Sequence, residues 1–202
     1  MTDDSPDTHS GKKAKAKNKA KTRRREPKKV TPSHLENVAL YYLERFATSA
    51  ENLRRVLMRR VLKSAHAHGT DVDEGAAMVD DLIGRYQASG LLDDRAYARA
   101  RVGTLHRAGN SGRVIRGKLM QKGVGSDAID AALDALADET PDAERAAAMQ
   151  LTKRRRLGPF REEALRAEMR EKDLGRLARA GFSYDVALSV IDAHDEDEDD
   201  PV

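Results

Sequence analysis

The chain has no cysteine and no tryptophan in its 202 residues. Disulfides and thiolate metal sites are therefore excluded, and the folded part must stand on packing alone. Aromatic residues are few, five Tyr and three Phe, and most fall on apolar stripes where they read as core. No apolar run approaches the length of a membrane span. The first residues carry Asp3, Asp4 and Asp7, and no apolar run follows the basic segment behind them. A secretory signal is thus not expected, and a cytosolic protein is the simplest reading. Alternation of apolar and polar residues is missing as well, so no strand is predicted between positions 30 and 192.

What is present is charge, unevenly distributed. The net formal charge of +3 conceals a segment at 12–29 with eleven Lys or Arg against the single Glu26. At the other end, residues 192–202 hold seven Asp or Glu and no base. Residues 1–29 are expected to be a disordered basic arm and 194–202 an acidic tail, because neither can bury enough apolar surface to offset its ordering entropy. The arm should add nonspecific phosphate affinity by releasing counterions. The two tails could also pair with each other, which would damp DNA binding.

Between them the pattern is helical nearly throughout. Thr31 and Pro32 form a start signal, a capping hydroxyl followed by proline at the first helical position. Leu35, Val38, Ala39, Tyr42, Leu43 and Phe46 then make one apolar stripe. Ser49 caps a second helix carrying Leu53, Val56, Leu57, Val61 and Leu62. A polar loop is expected at 69–73, within a longer loop over 64–74, before a third helix through Ala76, Val79, Leu82, Ile83 and Tyr86 that ends at Ser89 and Gly90. The plan restarts at Asp93 or Asp94, either of which can accept the free N–H groups of a first turn. Tyr97, Ala100, Arg101 and Leu105 follow, then a helix capped by Ser111 with Val114, Ile115 and Leu119, and one with Ile129, Ala132, Leu133 and Leu136.

The restart has a register. A shift of 62 superposes Ser49, Arg54, Leu57, Met58 and Arg60 on Ser111, Arg116, Leu119, Met120 and Lys122. A shift of 58 superposes Leu119, Gly123, Val124, Asp127 and Leu133 on Leu177, Gly181, Phe182, Asp185 and Ile191. Cap, glycine and apolar positions move together, which favours true repeats over chance likeness between amphipathic helices. The prediction is an all-α, elongated and curved array of three tandem three-helix repeats, at 30–92, 93–140 and 141–193, with the third interrupted at Gly158 and Pro159. Units this small should lean on one another.

Several motifs tempt a catalytic reading, and each fails its context. Gly112 to Lys118 fits G-x-x-x-x-G-K, but Leu119 replaces the hydroxyl residue that would hold Mg²⁺, and no strand precedes it. His66 and His68, in the expected loop beside Asp71 and Asp73, lack a further ligand at convincing spacing. His34 and His106 are lone helical histidines, most simply surface residues. Adjacent carboxylates at Asp80-Asp81 and Asp93-Asp94 diverge on a helix, and capping is work enough for the second pair. No enzyme, cofactor or metal is implied.

Basic clusters remain. Arg54, Arg55, Arg59 and Arg60 lie on the second helix of unit one, and Arg113, Arg116, Lys118 and Lys122 on its counterpart. Lys153, Arg154, Arg155 and Arg156 end the first helix of unit three. A charge run is ordinarily a solvated face. Recurrence at matched positions argues instead for a stripe that contacts phosphates or an acidic partner.

Three segments carry a family resemblance. Gly90-Leu91-Leu92-Asp93-Asp94-Arg95-Ala96-Tyr97-Ala98 resembles the G-L-L-(D/N)-D-x-(R)-(F/Y)-A signature of the RecX family. Arg116-x-x-Leu119-x-x-Lys122-Gly123-Val124, with Ile129, Ala132 and Leu133, resembles its second-repeat pattern. Arg179-Ala180-Gly181-Phe182-Ser183 resembles its R-x-G-F-S step. The match spans about residues 35–192, in order and spacing. The resemblance implies tandem three-helix units that bind RecA and the RecA–DNA filament and limit its ATPase, strand exchange and coprotease activities, lodging in the filament groove or blocking growth. It defines no catalytic residue. A monomer that touches the DNA phosphate backbone through the arm and stripe is expected. The alternative is a general DNA- or RNA-binding helical protein that does not act through RecA. The basic arm, acidic tail and expected loop at 64–74 depart from the family pattern.

Overall fold

The computed structural model describes residues 26–193, so the acidic tail and all but the last four residues of the basic arm lie outside the described part. Within it are nine α-helices, one 3₁₀ turn and no strand. They are α1 Pro32–Leu43, α2 Ala50–His68, α3 Val72–Ala88, α4 Asp94–Arg107, α5 Gly112–Gln121, α6 Ser126–Glu139, α7 Ala143–Arg155, α8 Glu163–Arg179 and α9 Tyr184–Ile191. The turn, Gly158–Phe160, sits between α7 and α8.

Most starts follow from local chemistry. The side chains of Thr31, Ser49, Asp71, Asp93, Ser111 and Ser183 each accept a first-turn N–H, satisfying donors that the helix itself leaves free. Three separate apolar clusters follow the helix triplets. The first centres on Leu35, Leu53, Leu57, Val61 and Val79. The second has Ala98, Val102, Ile115, Leu119 and Ile129. The third has Ala147, Leu151, Leu157, Leu177 and Val190.

The third core encloses a charged group. Asp173, 1 % exposed, accepts from Arg161 Nη2 and Nε at 2.8 and 3.0 Å, from Arg176 at 2.8 Å and from the Gly158 N–H at 3.1 Å. Burial alone would raise its pKa. The Arg161 hydrogen bonds, the Gly158 N–H and Arg176 outweigh it and hold the carboxyl below its ordinary value. The network ties the 3₁₀ turn to α8.

Several expectations are corrected. The region 64–74 is not a long loop: α2 continues to His68, and Gly69, at φ +65, closes it as a left-handed cap. His66 and His68 are therefore helical. Phe46 leaves the first stripe, because α1 stops at Leu43, and it stands 55 % exposed against Tyr42. Of the apolar residues that α2 carries, Leu62 is exposed. In α4 the inward residues are Ala98, Val102 and Leu105, while Ala100 and Arg101 are exposed and Tyr97 is half-buried. The aromatics are not mostly core: Tyr86 and Phe182 are buried, but Tyr41, Phe46, Phe160 and Tyr184 are exposed.

Candidate interaction surface

The units meet through a contact that occurs twice. At the first junction the Ser49 hydroxyl, besides capping α2, donates to the carbonyl of Lys122 at the end of α5. At the second, Ser111 caps α5 and donates to the Ala180 carbonyl at the end of α8 at 2.8 Å. The glycine after each carbonyl is left-handed, Gly123 at φ +76 and Gly181 at φ +91. A Cβ on Gly123 would fall 2.3 Å from Glu51 Cγ, and one on Gly181 would fall 2.6 Å from Ser111 Oγ. Both glycines are required by backbone conformation and by close approach.

A second bond accompanies it. Asp94, in the first turn of α4, accepts the Ala50 N–H at 2.8 Å, and Glu144, in the first turn of α7, accepts the Gly112 N–H at 2.6 Å. Each middle-helix N-terminus is thus held by a carboxylate from the next unit, where a negative charge is favoured. The His106 ring adds a bond to the Ala143 carbonyl at 2.7 Å. That carbonyl only accepts, so Nε2 carries the hydrogen. His106 is half-buried between units, not the simple surface residue expected.

The resemblance-bearing residues are placed by these junctions. Leu92, Leu119 and Phe182 are core, Asp93 caps α4, and Gly90 ends α3 at φ +75. Leu91 is 51 % exposed. It borders an open groove of about 580 Å³ between units one and two, with Phe46, Thr48, Tyr97 and Arg101. Burial raises the Tyr97 pKa above its ordinary value.

The basic candidates divide into two groups. Arg54 pairs with Asp80 at 2.6 Å, Arg55 pairs with Glu51 at 2.9 Å and reaches the Gln121 carbonyl, and Arg116 pairs with Asp130. Lys118 donates to Asn110 at 2.6 Å, and Arg154 donates to the Ala108 carbonyl. These five are engaged within the chain. Arg59, Arg60, Arg113, Lys122, Lys153, Arg155 and Arg156 are exposed, with no side-chain ion pair among the described residues. The third cluster lies on α7, a first helix, so it is not at the matched position of the other two.

The segment resembling a phosphate loop is helix α5, capped by Ser111. Among the described residues no group of three or more His, Asp or Glu could hold a metal ion, and no helix is long and apolar enough to cross a membrane.

What fold and surface define is a helical repeat protein. Comparison with known proteins gives the family. The description "RecX, second three-helix domain" matches residues 93–133. The Regulatory protein RecX of Myxococcus xanthus is 43 % identical over 170 residues, 83 % of this chain and 89 % of that protein. That of Agrobacterium fabrum is 32 % identical over 180 residues, 87 % of this chain and 91 % of that protein. That of Thermobifida fusca is 33 % identical over 115 residues, 56 % of this chain and 60 % of that protein. No solved structure matches the chain. The chain belongs to the RecX family.

Proposed function

We propose that this chain is a non-enzymatic regulator of RecA that binds the recombinase and its filament on DNA and restrains ATP hydrolysis and strand exchange. The observation that carries this reading is the similarity to regulatory proteins named RecX along most of both chains. The geometry is consistent with it. Three units joined by the same hydrogen bonds at both junctions offer a repeating surface to a repeating partner. The groove beside Leu91 and Phe46 offers apolar contact, and the unpaired bases on α2, α5 and α7 offer charge for phosphates or acidic side chains.

The partner assignment is tested by sedimenting RecA filaments assembled on single-stranded DNA with the full chain. Co-sedimentation well above that with DNA alone is expected. Equal recovery with bare DNA would favour a general nucleic-acid-binding protein instead.

A further inference from the structure

The end of the basic arm is fixed to the body. The Val30 N–H donates to Ser64 Oγ at 2.9 Å, and Val30 itself is buried in the first core. The Thr70 hydroxyl also donates to Ser64, at 3.0 Å. Three residues earlier, His68 Nε2 bonds the Pro27 carbonyl at 2.6 Å. Residues 27–30 are thus laid along α2 by contacts at both ends.

Beside this root is an open cleft of about 320 Å³. Lys28 from the arm, His34 from α1, and Arg60 and Lys63 from α2 line it, and Glu26 is its one carboxylate. No ion pair joins Lys28, Arg60 or Lys63 to a carboxylate among the described residues. Elsewhere on α2, Arg54 and Arg55 do have acidic partners. Burial, then Lys28 and then Arg60 hold the His34 pKa below its ordinary value. Three cations drawn from two segments therefore converge on a concavity with too little negative charge to balance them. Like charges brought together in this way repel, and the arrangement is relieved by an anion.

We propose that this cleft seats a phosphodiester group of a nucleic-acid strand at the point where the basic segment joins the folded body. Two observations select a strand over a free anion. The cleft is open and not enclosed, as a group carried on a chain requires. The sequence that precedes it, residues 12–25, holds nine further Lys or Arg and no acid, so this part of the chain has the composition that favours a polyanion over a single small anion. No Phe, Tyr, Asn or Gln lines the cleft, and the side chains it offers a strand are mainly cations, which suit phosphate contact. Contact here positions the strand without reading its sequence. The inference rests on the reading that this chain works on DNA, but not on RecA as the partner.

The test uses the full chain, an oligothymidylate and, separately, inorganic pyrophosphate. The His34 ring resonances are assigned by their loss in His34→Gln and followed by NMR. Oligothymidylate should shift these resonances and raise the His34 pKa, because a bound anion favours the imidazolium. The double substitution Arg60→Ala, Lys63→Ala should weaken oligonucleotide binding several-fold. It should also reduce the slope of log affinity against log salt by about 1.4, the value for two lost single-strand phosphate contacts. A melting curve like that of the parent chain shows that the double variant remains folded.

Oligonucleotide binding that leaves His34 unmoved, or a double variant with parental affinity and slope, would overturn the proposal. Pyrophosphate binding as tight as the oligonucleotide would also overturn it, in favour of a small-anion site. RecA inhibition is read separately, so failure at the cleft with inhibition intact removes this inference alone.

Discussion

The hydroxyl of Ser111 donates to the carbonyl of Ala180 at 2.8 Å, joining the start of one middle helix to the end of the next. Ser49 and Lys122 repeat the relationship one unit earlier. The shifts of 62 and 58 that relate the repeats carry Ser49 onto Ser111 and Lys122 onto Ala180. One hydroxyl caps its own helix and holds the neighbouring unit.

Replacing Ser111 with Ala removes a cap and leaves a carbonyl at the junction without its donor. The cost should be about 1–3 kcal/mol. Urea denaturation of Ser111→Ala, Ser49→Ala and the double variant measures it. Near-additive losses are expected, since the two junctions share no residues. A loss below about 0.3 kcal/mol for either single variant would mean that its junction does not bear on stability.

Glycine substitutions should sort by place. Gly181→Ala meets Ser111 Oγ and is held at positive φ, and Gly123→Ala meets Glu51 in the same conformation. Each should destabilise by about 1–2 kcal/mol from the left-handed backbone alone, with the clash added. Gly84 and Gly117, inside α3 and α5, have nothing within 4 Å of a built Cβ. Alanine there should stabilise by up to about 1 kcal/mol. Thermal melts of the four variants decide between the two outcomes.

Asp173 gives a pH dependence with a definite sign. Its folded pKa lies below the ordinary 3.8. Its contribution is therefore fully present above the unfolded value and is lost as pH falls from near 3.8 through the folded value. Asp173→Ala should cost about 3–5 kcal/mol, because it strands Arg161 beside a buried site. Asp173→Asn should flatten the acid limb of the stability profile, as read by urea midpoints between pH 2 and 6. A variant with the parental acid limb would show that the carboxyl does not titrate as described.

Much of the fold was legible. The caps at Thr31, Ser49, Asp93 and Ser111 are local, so a hydroxyl or carboxylate before an apolar stripe suffices to find them. The end of α2 is not legible, because a polar last turn resembles a loop and only Gly69 marks the stop. The exposure of Phe46 is not legible either, because a periodic stripe does not reveal where its helix ends. Nothing local predicts that Asp94 caps α2 and not its own helix, or that Arg161 and Arg176 converge on Asp173. The basic residues were visible as charge. Which of them are consumed by Asp80, Glu51 and Asp130 depends on tertiary packing.

That division yields a prediction for binding. Arg155→Ala with Arg156→Ala removes two exposed cations with no ion pair among the described residues, and should weaken association with RecA–DNA filaments while leaving the melting temperature unchanged. Arg54→Ala with Asp80→Ala removes an exposed pair and should change stability by no more than about 1 kcal/mol. Filament co-sedimentation and thermal melts, run together, separate the two effects.

The most direct test of the account is RecA's ATP turnover on single-stranded DNA, titrated with the full chain. Turnover should fall as the chain is added, with no nucleotide hydrolysis by the chain alone. Unchanged turnover at a stoichiometric excess of the chain would contradict the assignment.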